Sequence, residues 1–281
     1  MMRSMKKADI KKMVRQGYAK VATASTSCCG PAVSGCGCNT KASSKSLSKA
    51  MGYSDKEMAS VPKEANLGLG CGNPIAMVSL KPGETVLDLG SGPGLDCFLA
   101  ANKVGPSGHV IGVDMTPEMI AKARNNAKKK YTNVEFRLGE IEKLPVADNS
   151  VDVIISNCVI NLSPDKPKVF REAFRVLKPG GRLMVSDVVI TNQLPEELMN
   201  SIGAYVGCLS GAIMKGQYLG TIKQVGFKNV KILDAAKFPI EYMLNDPTAQ
   251  GLAQTIKLSA KSLRGVGDSV ESIKVTAIKP G

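Results

Sequence analysis

From residue 84 onward, short apolar runs alternate with longer amphipathic stretches, and this alternation constrains the fold more than any other feature of the sequence. The strand-like runs lie at 84–89, 109–114, 134–138, 151–157 and 182–189, and the helical stretches at 95–104, 117–130 and 166–177. Such a pattern is typical of a parallel sheet with helices on both faces. Two later runs, 229–234 and 272–278, predict a final antiparallel pair and bring the sheet to seven strands.

The segments outside this pattern differ from it in composition. Residues 4–22 have apolar side chains at helical spacing and predict a basic amphipathic helix. Residues 23–48 are rich in Ser, Gly, Thr and Cys, which is typical of a loop. We therefore expect N-terminal helices with a Cys-rich loop at 1–60, a core at 61–235, and a small C-terminal region at 236–281.

Three local signals add to this outline. Ser54, followed three residues later by Glu57, matches a capping box and predicts a helix that begins after Ser54. The segment Leu-Lys-Pro-Gly-Gly at 177–181 predicts a helix end followed by a turn. Residues 249–263 predict a helix in the C-terminal region.

A glycine loop follows the first strand of the core, in the sequence Leu-Asp-Leu-Gly-Ser-Gly-Pro-Gly at 87–94. Gly90, Gly92 and Gly94 allow the backbone to approach a ligand without a clash from Cβ. The helix that follows presents free N–H groups at the same place. Asp114 ends the next strand, where a carboxylate can accept both hydroxyls of a ribose. Together these residues predict a nucleotide-type cofactor.

The spacing of the glycines favours one class of cofactor. A dinucleotide fingerprint is Gly-x-Gly-x-x-Gly, whereas this loop is Gly-x-Gly-x-Gly preceded by Asp88. Asp96 would oppose a pyrophosphate, while Asp88 suits the ammonium group of a methionine moiety. The favoured cofactor is therefore S-adenosylmethionine. Residues 177–181 resemble the corresponding signature of class I methyltransferases, which implies a Rossmann-like α/β fold.

The eight cysteines of the chain are distributed unlike core residues. Cys97 alone lies among apolar residues of a predicted helix, and we expect it to be a buried structural thiol. The others lie in polar or glycine-rich segments or at the ends of apolar runs: Cys28, Cys29, Cys36, Cys38, Cys71, Cys158 and Cys208. Thiols around a cofactor loop indicate a soft substrate that is bound by sulfur.

Composition argues against several classes of function. The net charge is +13, but the basic residues are spread along the chain, aromatic residues make up 4% and Trp is absent, so we expect no nucleic-acid binding. We also expect no membrane segment and no secretory signal, and hence a cytoplasmic protein with reduced thiols. The single histidine, His109, begins a predicted strand, which argues against histidine-based catalysis.

Over about residues 15–230 the chain resembles the arsenite S-adenosylmethionine methyltransferases. The similarity is carried by the segments 65–74, 112–119 and 155–162, and by Cys208 with Gly211-Ala212 after it. The resemblance implies that As(III) is bound by Cys71, Cys158 and Cys208, and that Cys28 or Cys29 matches a further cysteine of the family. It also implies a set of residues that border the cofactor, to which we add the neighbour of Asp114: Ile141, Glu142, Asn157 and Met115.

The chemistry that the resemblance implies agrees with these residue types. Three thiolates can hold soft As(III) as a pyramid, so that its lone pair attacks the methyl group of S-adenosylmethionine without a general base. A disulfide between the N-terminal pair and Cys71 would restore trivalent arsenic, with thioredoxin or glutathione as the final reductant. The resemblance therefore implies an enzyme that methylates arsenite, and we expect it to be a monomer.

Two other functions remain open at the level of sequence. The first is a methyltransferase that acts on carbon or oxygen of a quinone-like or sterol-like molecule. The second is a thiol-rich protein that binds As(III) or another metal without catalysis. Cys36 and Cys38 lack the usual spacing of zinc ligands, and their role is open among arsenic relay, disulfide exchange, zinc binding and no function.

Overall fold

The computed structural model describes residues 5–23, 44–128, 130–238 and 265–281. Seven strands in these ranges form one sheet: β1 (Thr85–Leu89), β2 (His109–Asp114), β3 (Val134–Leu138), β4 (Val151–Asn157), β5 (Leu177–Ile190), β6 (Lys228–Lys237) and β7 (Val270–Ile278). Their order across the sheet is β3-β2-β1-β4-β5-β7-β6. Strands β1 to β5 pair in parallel, and β7 is antiparallel to both of its neighbours. The predicted seven-stranded, mostly parallel α/β sheet is confirmed.

Helices flank and extend this sheet. They are α1 (Lys7–Thr23), α2 (Ser44–Ala50), α3 (Asp55–Ser60), α4 (Pro74–Met77), α5 (Leu95–Val104), α6 (Pro117–Ala127), α7 (Lys166–Val176), α8 (Glu196–Met199), α9 (Ile202–Val206) and α10 (Lys215–Val225). Within the described ranges, no helix is long and apolar enough to cross a bilayer. The capping box at α3 is confirmed, because the Ser54 hydroxyl accepts the Glu57 N–H at 3.2 Å and the Glu57 carboxylate accepts the Ser54 N–H at 2.8 Å.

Two local predictions differ from the structure. Helix α2 begins at Ser44, inside the segment predicted as a loop, because Leu47 is buried and anchors it to the core. Strand β5 begins at Leu177, where a turn was predicted, since Leu177 pairs with Val151 before a register shift brings Arg182 opposite Val153. The predicted helix end is confirmed, because α7 ends at Val176, but the segment after it belongs to β5 and contains an irregularity in register. The predicted helix at 249–263 lies outside the described residues.

The carboxyl ends of β1, β2 and β4 lie side by side at one edge of the sheet. In open parallel sheets, ligands bind at this edge, where the loops after the strands meet. Helix α1 packs against α6 and α9 and so lies over the same edge. The fold therefore places the glycine loop, Asp114 and Cys158 together beneath α1.

Candidate functional site

One cavity opens at this edge of the sheet. Its lining includes the glycine loop from Gly90 to Pro93, Asp114, Cys158 and Cys208. Residues predicted to bind a cofactor therefore share one cavity with two of the thiols predicted to bind a soft substrate. Met115, Ile141, Glu142, Asn157 and Asp88, which were predicted to border a cofactor, also line it.

The glycine loop has the geometry of a ligand cradle. Gly90 has φ +68°, and a Cβ there would lie 2.3 Å from Cγ2 of Val159, so a side chain is excluded. Gly92 has φ +51°, but a Cβ there would have no atom within 4 Å, so its Cα faces open space. Left-handed backbone of this kind is readily adopted by glycine alone. The loop thus presents bare backbone to the cavity.

The carboxylate of Asp114 is held in place by two backbone N–H groups. Gly92 donates to its Oδ2 at 2.9 Å, and Thr116 donates to its Oδ1 at 2.8 Å. Burial raises the pKa of Asp114 more than these hydrogen bonds lower it. In the described part of the chain, the buried hydroxyl of Ser91 has no hydrogen-bond partner, and Ser91 lines the cavity beside Asp114. A fixed carboxylate and an unsatisfied hydroxyl suit the hydroxyl groups of a ribose.

Two further carboxyl groups lie close together beneath the loop. Burial and the neighbouring Asp96 raise the pKa of Asp88 well above its ordinary value, and burial raises the pKa of Asp96 to about 6. The Tyr53 hydroxyl donates to Asp96 at 2.7 Å, and the Cys97 thiol donates to Asp88 at 3.2 Å. A ligand cation would favour the ionised form of this pair. Cys97 is fully buried, as predicted, but its hydrogen bond to Asp88 was not foreseen.

Asn157, at the end of β4, joins this acidic side of the cavity to the thiol side. Its Nδ2 donates to Asp96 at 3.2 Å, to the Tyr53 hydroxyl at 2.9 Å and to the Gly72 carbonyl at 2.8 Å. Its Oδ1 accepts the N–H of Cys71 at 3.1 Å. One amide therefore fixes the loop that carries Cys71 relative to the acidic pair.

The three cysteines predicted to bind As(III) are brought together. The Cys158 side chain interacts with the side chains of both Cys71 and Cys208. The Cys208 thiol also donates to the Cys158 carbonyl at 2.9 Å. Contact with Cys208 lowers the pKa of Cys158, but contact with Cys71 and burial raise it, and together they outweigh the effect of Cys208. Burial also raises the pKa of Cys71. Both groups are therefore protonated thiols at neutral pH.

The backbone at two of these cysteines is in the left-handed region. Cys158 has φ +59° and Cys208 has φ +66°. Such values cost roughly 1–2 kcal/mol for a residue other than glycine, and they occur most often at functional sites. The Cys158 N–H donates to the Ser186 carbonyl at 2.8 Å, which fixes the turn after β4 against β5. The turn directs the thiol inward, where Cys158 is 8% exposed.

A buried carboxyl group beside these thiols was missed from the sequence. Asp187 is fully buried in β5 and accepts hydrogen bonds from Asn161 Nδ2 at 2.8 Å, the Val188 N–H at 2.9 Å and the Tyr218 hydroxyl at 3.0 Å. One carboxylate oxygen of Asp187 and the Sγ atoms of Cys71 and Cys158 all lie within 4.8 Å of one another. The only signal in the sequence was a polar Ser-Asp pair inside the apolar run Leu-Met-Val-Ser-Asp-Val-Val-Ile.

Burial shifts the pKa values of both Asp187 and the nearby Lys166. Burial raises the pKa of Asp187 to about 7, although its hydrogen bonds and Lys166 act in the opposite direction. Burial likewise lowers the pKa of Lys166 to about 8, against the attraction of Asp187, Cys208 and Glu142. The Lys166 ammonium donates to the carbonyl groups of Asn161 at 3.3 Å and Ser163 at 3.2 Å. A buried cation therefore lies near both the thiols and the carboxyl group.

The raised pKa of Asp187 predicts how stability depends on pH. The unfolded chain releases this proton near pH 4 and the folded protein near pH 7, so this group's contribution to stability falls as pH rises through that window. For Asp187→Asn, we expect the unfolding free energy relative to the parent to rise by up to about 1.4 kcal/mol per pH unit between about pH 4 and 7. Urea denaturation at several pH values measures it, and a difference that does not change with pH would contradict it.

The N-terminal cysteines cannot be placed in this site. Cys28, Cys29, Cys36 and Cys38 lie outside the described residues. Helix α1, which precedes them, lies at the cavity through Lys11, Val14 and Tyr18. The Lys11 ammonium is 2.7 Å from the Glu140 carboxylate and 3.1 Å from that of Glu142.

Comparison with known proteins supports the fold. A family model for a methyltransferase domain matches residues 80–226. The arsenite methyltransferase of Halobacterium salinarum is 53% identical over 229 residues, which cover 80% of this chain and 59% of that protein. Human arsenite methyltransferase is 41% identical over 166 residues, or 56% of this chain and 44% of the human protein.

A solved structure extends the match. An arsenic(III) S-adenosylmethionine methyltransferase from Chlamydomonas reinhardtii has a TM-score of 0.61 and 32% identity, covering 84% of this chain and 73% of that one. This chain spans about half the length of the curated relatives it matches. The fold, the domain match and the similarity to these relatives lead to one assignment: the chain belongs to the class I methyltransferases and, within them, to the arsenite methyltransferase family.

Proposed function

We propose that this protein transfers methyl groups from S-adenosylmethionine to trivalent arsenic held by Cys71, Cys158 and Cys208. The observation that carries the proposal is the meeting of these cysteines beside a cavity lined by the glycine loop. Thiolates are the soft ligands among protein side chains, and As(III) is a soft centre. A methyl acceptor that reacts through carbon or oxygen would not require three adjacent thiols.

The residues that line the cavity suit S-adenosylmethionine. Gly90 and Gly92 would lie against the cofactor, and Asp114 would accept its ribose hydroxyls. Gly94, also predicted to bind the cofactor, does not line the cavity: it caps α5, and a Cβ there would lie 2.8 Å from the rings of Phe98 and Phe136. Asp88 would take its ammonium group, and the remaining border would be formed by Met115, Ile141, Glu142 and Asn157. When bound, this cofactor supplies an electrophilic methyl group on a sulfonium. The chain's contribution is to orient the acceptor and exclude water.

The thiols bind arsenite by exchange. Each protonated thiol replaces one hydroxyl of As(OH)₃, and the thiol proton leaves with that hydroxyl as water, so no net proton is released. Cys208 must give up its hydrogen bond to the Cys158 carbonyl, because a thiolate has no proton to donate. The product is a neutral trithiolate pyramid whose lone pair remains free to attack the methyl group.

We also propose how the trivalent state is restored. Methyl transfer oxidises arsenic from +3 to +5, and its return requires two electrons. One thiol of the pair Cys28 and Cys29 would attack the Cys71 sulfur, so that the bond from arsenic to Cys71 breaks and its electron pair stays on arsenic. The attacking thiol loses its proton to solvent, and thioredoxin or glutathione then reduces the disulfide that has formed. Such a cycle suits a monomer in the cytoplasm, where thiols are kept reduced.

A direct assay tests the proposed function. Purified protein is incubated with S-adenosylmethionine, glutathione and arsenite, and the arsenic species are separated by chromatography. We expect mono- and dimethylated arsenic together with S-adenosylhomocysteine. Binding of both ligands without a methylated product would favour a thiol-rich arsenic-binding protein, and turnover with a quinone-like acceptor alone would favour the other methyltransferase class.

The ion pair of Lys11 with Glu142 predicts a role for α1 in cofactor binding. Removing the Lys11 charge leaves Glu142, which is 4% exposed, without its cation and loosens α1 over the cavity. For Lys11→Met we expect the Kd for S-adenosylmethionine to rise about threefold to tenfold, or about 0.7–1.4 kcal/mol. Calorimetry measures it, with Lys12→Met, an exposed lysine on the same helix, as the matched control. Equal effects of both variants would contradict a specific role for Lys11.

A further inference from the structure

The tightest group of ligand atoms in the described part of the chain is not the set of three cysteines. It consists of Cys71, Cys158 and Asp187, whose ligand atoms lie within 4.8 Å of one another and are all buried. Two thiols and a carboxylate match the donors that Zn²⁺ and Cd²⁺ take in proteins. Bonds of about 2.3 Å to sulfur at a tetrahedral angle separate two sulfurs by about 3.8 Å, so shifts of about 1 Å or less would close the site.

We propose that Cys71, Cys158 and Asp187 form a binding site for a zinc-group divalent cation, with water in the fourth position. This site shares two thiols with the arsenic site but replaces Cys208 with a carboxylate. As(III) needs only three ligands because its lone pair occupies the fourth position, whereas Zn²⁺ and Cd²⁺ require a fourth ligand. The two ligands therefore use overlapping but different sets of side chains.

The surroundings of Asp187 support a role as a ligand. Carboxylates that bind metals are oriented by hydrogen bonds from the next layer of residues. Asp187 has three such donors, from Asn161, Val188 and Tyr218, at 2.8–3.0 Å. They come from a short 3₁₀ helix at Ile160–Leu162, from β5 and from α10, so the carboxylate is held from several directions at once.

The charge of the site is also balanced. Two thiolates and one carboxylate contribute three negative charges, and a divalent cation leaves one of them uncompensated. The Lys166 ammonium is buried and interacts electrostatically with Asp187, so it supplies the missing positive charge. Buried ions are tolerated when they are paired in this way. Binding releases the protons of both thiols, together with that of the Asp187 carboxyl group where this group is still protonated.

The consequence for arsenite rests on the proposed function. A divalent cation would occupy Cys71 and Cys158 and so exclude arsenite, which makes the enzyme sensitive to free zinc. The binding site itself does not depend on that function, since it follows from the three side chains alone.

The test uses the whole 281-residue chain with Cys28, Cys29, Cys36 and Cys38 replaced by serine, so that these four thiols do not contribute to the signal. Cd²⁺ alone is titrated and followed by the ultraviolet absorption of cadmium–thiolate bonds, and As(III) binding is measured separately. Neither measurement uses S-adenosylmethionine or turnover, so failure of methyl transfer would not change the result, and the Cd²⁺ titration does not depend on arsenic binding.

We expect opposite effects from two variants. Asp187→Asn should weaken Cd²⁺ binding at least about tenfold and change As(III) affinity less than about twofold. Cys208→Ser should weaken As(III) binding strongly and Cd²⁺ binding little. Tyr218→Phe, which keeps the carboxylate but removes one hydrogen bond, should weaken Cd²⁺ binding less than Asp187→Asn does. Unchanged Cd²⁺ affinity in Asp187→Asn, or equal losses of both ligands in each variant, would overturn the proposal.

A second measurement avoids the variants altogether. X-ray absorption of the zinc-loaded protein should show two sulfur neighbours at about 2.3 Å and oxygen neighbours at about 2.0–2.2 Å. A shell of three sulfurs would instead assign zinc to the cysteine set proposed for arsenic, and would reject Asp187 as a ligand.

Discussion

Cys158→Ser is expected to lower the rate of arsenite methylation at least about 100-fold, equivalent to about 2.8 kcal/mol of lost stabilisation. Oxygen is a hard ligand, and the serine hydroxyl stays protonated where a thiol would bind arsenic. Cys158 is the central member of the thiol cluster, since its side chain contacts both Cys71 and Cys208. Its loss therefore removes one arsenic ligand and the contact that joins the other two.

The control for this experiment is Cys97→Ser. Cys97 is also fully buried, and a serine there would still donate to Asp88. We expect this variant to retain most of its activity, and both variants to bind S-adenosylmethionine with nearly parental affinity in calorimetry. Full methylation by Cys158→Ser, or equal losses in both variants, would show that the cluster is not the arsenic site.

Asn157→Ala is expected to weaken the binding of both ligands at once. The Asn157 amide bonds to Asp96 on the acidic side of the cavity and to the N–H of Cys71 on the thiol side. Its removal leaves several buried polar groups unpaired, at about 1–3 kcal/mol for each group that finds no water. We expect the unfolding free energy to fall by about 2–4 kcal/mol, and the Kd values for S-adenosylmethionine and arsenite each to rise at least about tenfold.

Denaturation and calorimetry measure these effects, with Asn102→Ala as the control, because Asn102 makes a single exposed hydrogen bond to Ser60. Asn157→Asp provides a second variant if the alanine protein does not fold. It keeps an oxygen for the Cys71 N–H but places a second carboxyl group beside Asp96, so it should impair S-adenosylmethionine binding more than arsenite binding. Loss of arsenite binding alone in Asn157→Ala would refute the link between the two sides.

The strands could be predicted because each is a short apolar run with clear ends. Strands β2, β3 and β4 have the predicted bounds, and β5 to β7 differ only at their ends. Helices α8 and α9 escaped prediction because they have only 4 and 5 residues, too few to show helical periodicity. Helix α2 was missed because its sequence, Ser-Lys-Ser-Leu-Ser-Lys-Ala, is polar apart from Leu47 and Ala50, and burial of Leu47 decides its structure.

Some residues of the site could likewise be predicted from the sequence, and others could not. The cysteines and the glycine loop could be predicted because their residue types have few other uses in such positions. Asp187 could not, since nothing near it in the sequence marks it as a ligand, and the side chains that bond to it, from Asn161 and Tyr218, come from other segments of the chain, as does Lys166. Asn157 was expected to border the cofactor, but its bond to the Cys71 backbone depends on how two distant loops pack.

The raised pKa values of Cys71 and Cys158 have a consequence for the chemical durability of the protein. Alkylating agents and peroxides attack thiolates, so buried protonated thiols react slowly with them. Neighbouring thiols would otherwise be prone to oxidation in a cell under stress. Arsenite does not need a thiolate in advance, because each of its hydroxyl groups accepts the proton of the thiol that replaces it. The cluster thus resists common electrophiles while remaining open to the metalloid.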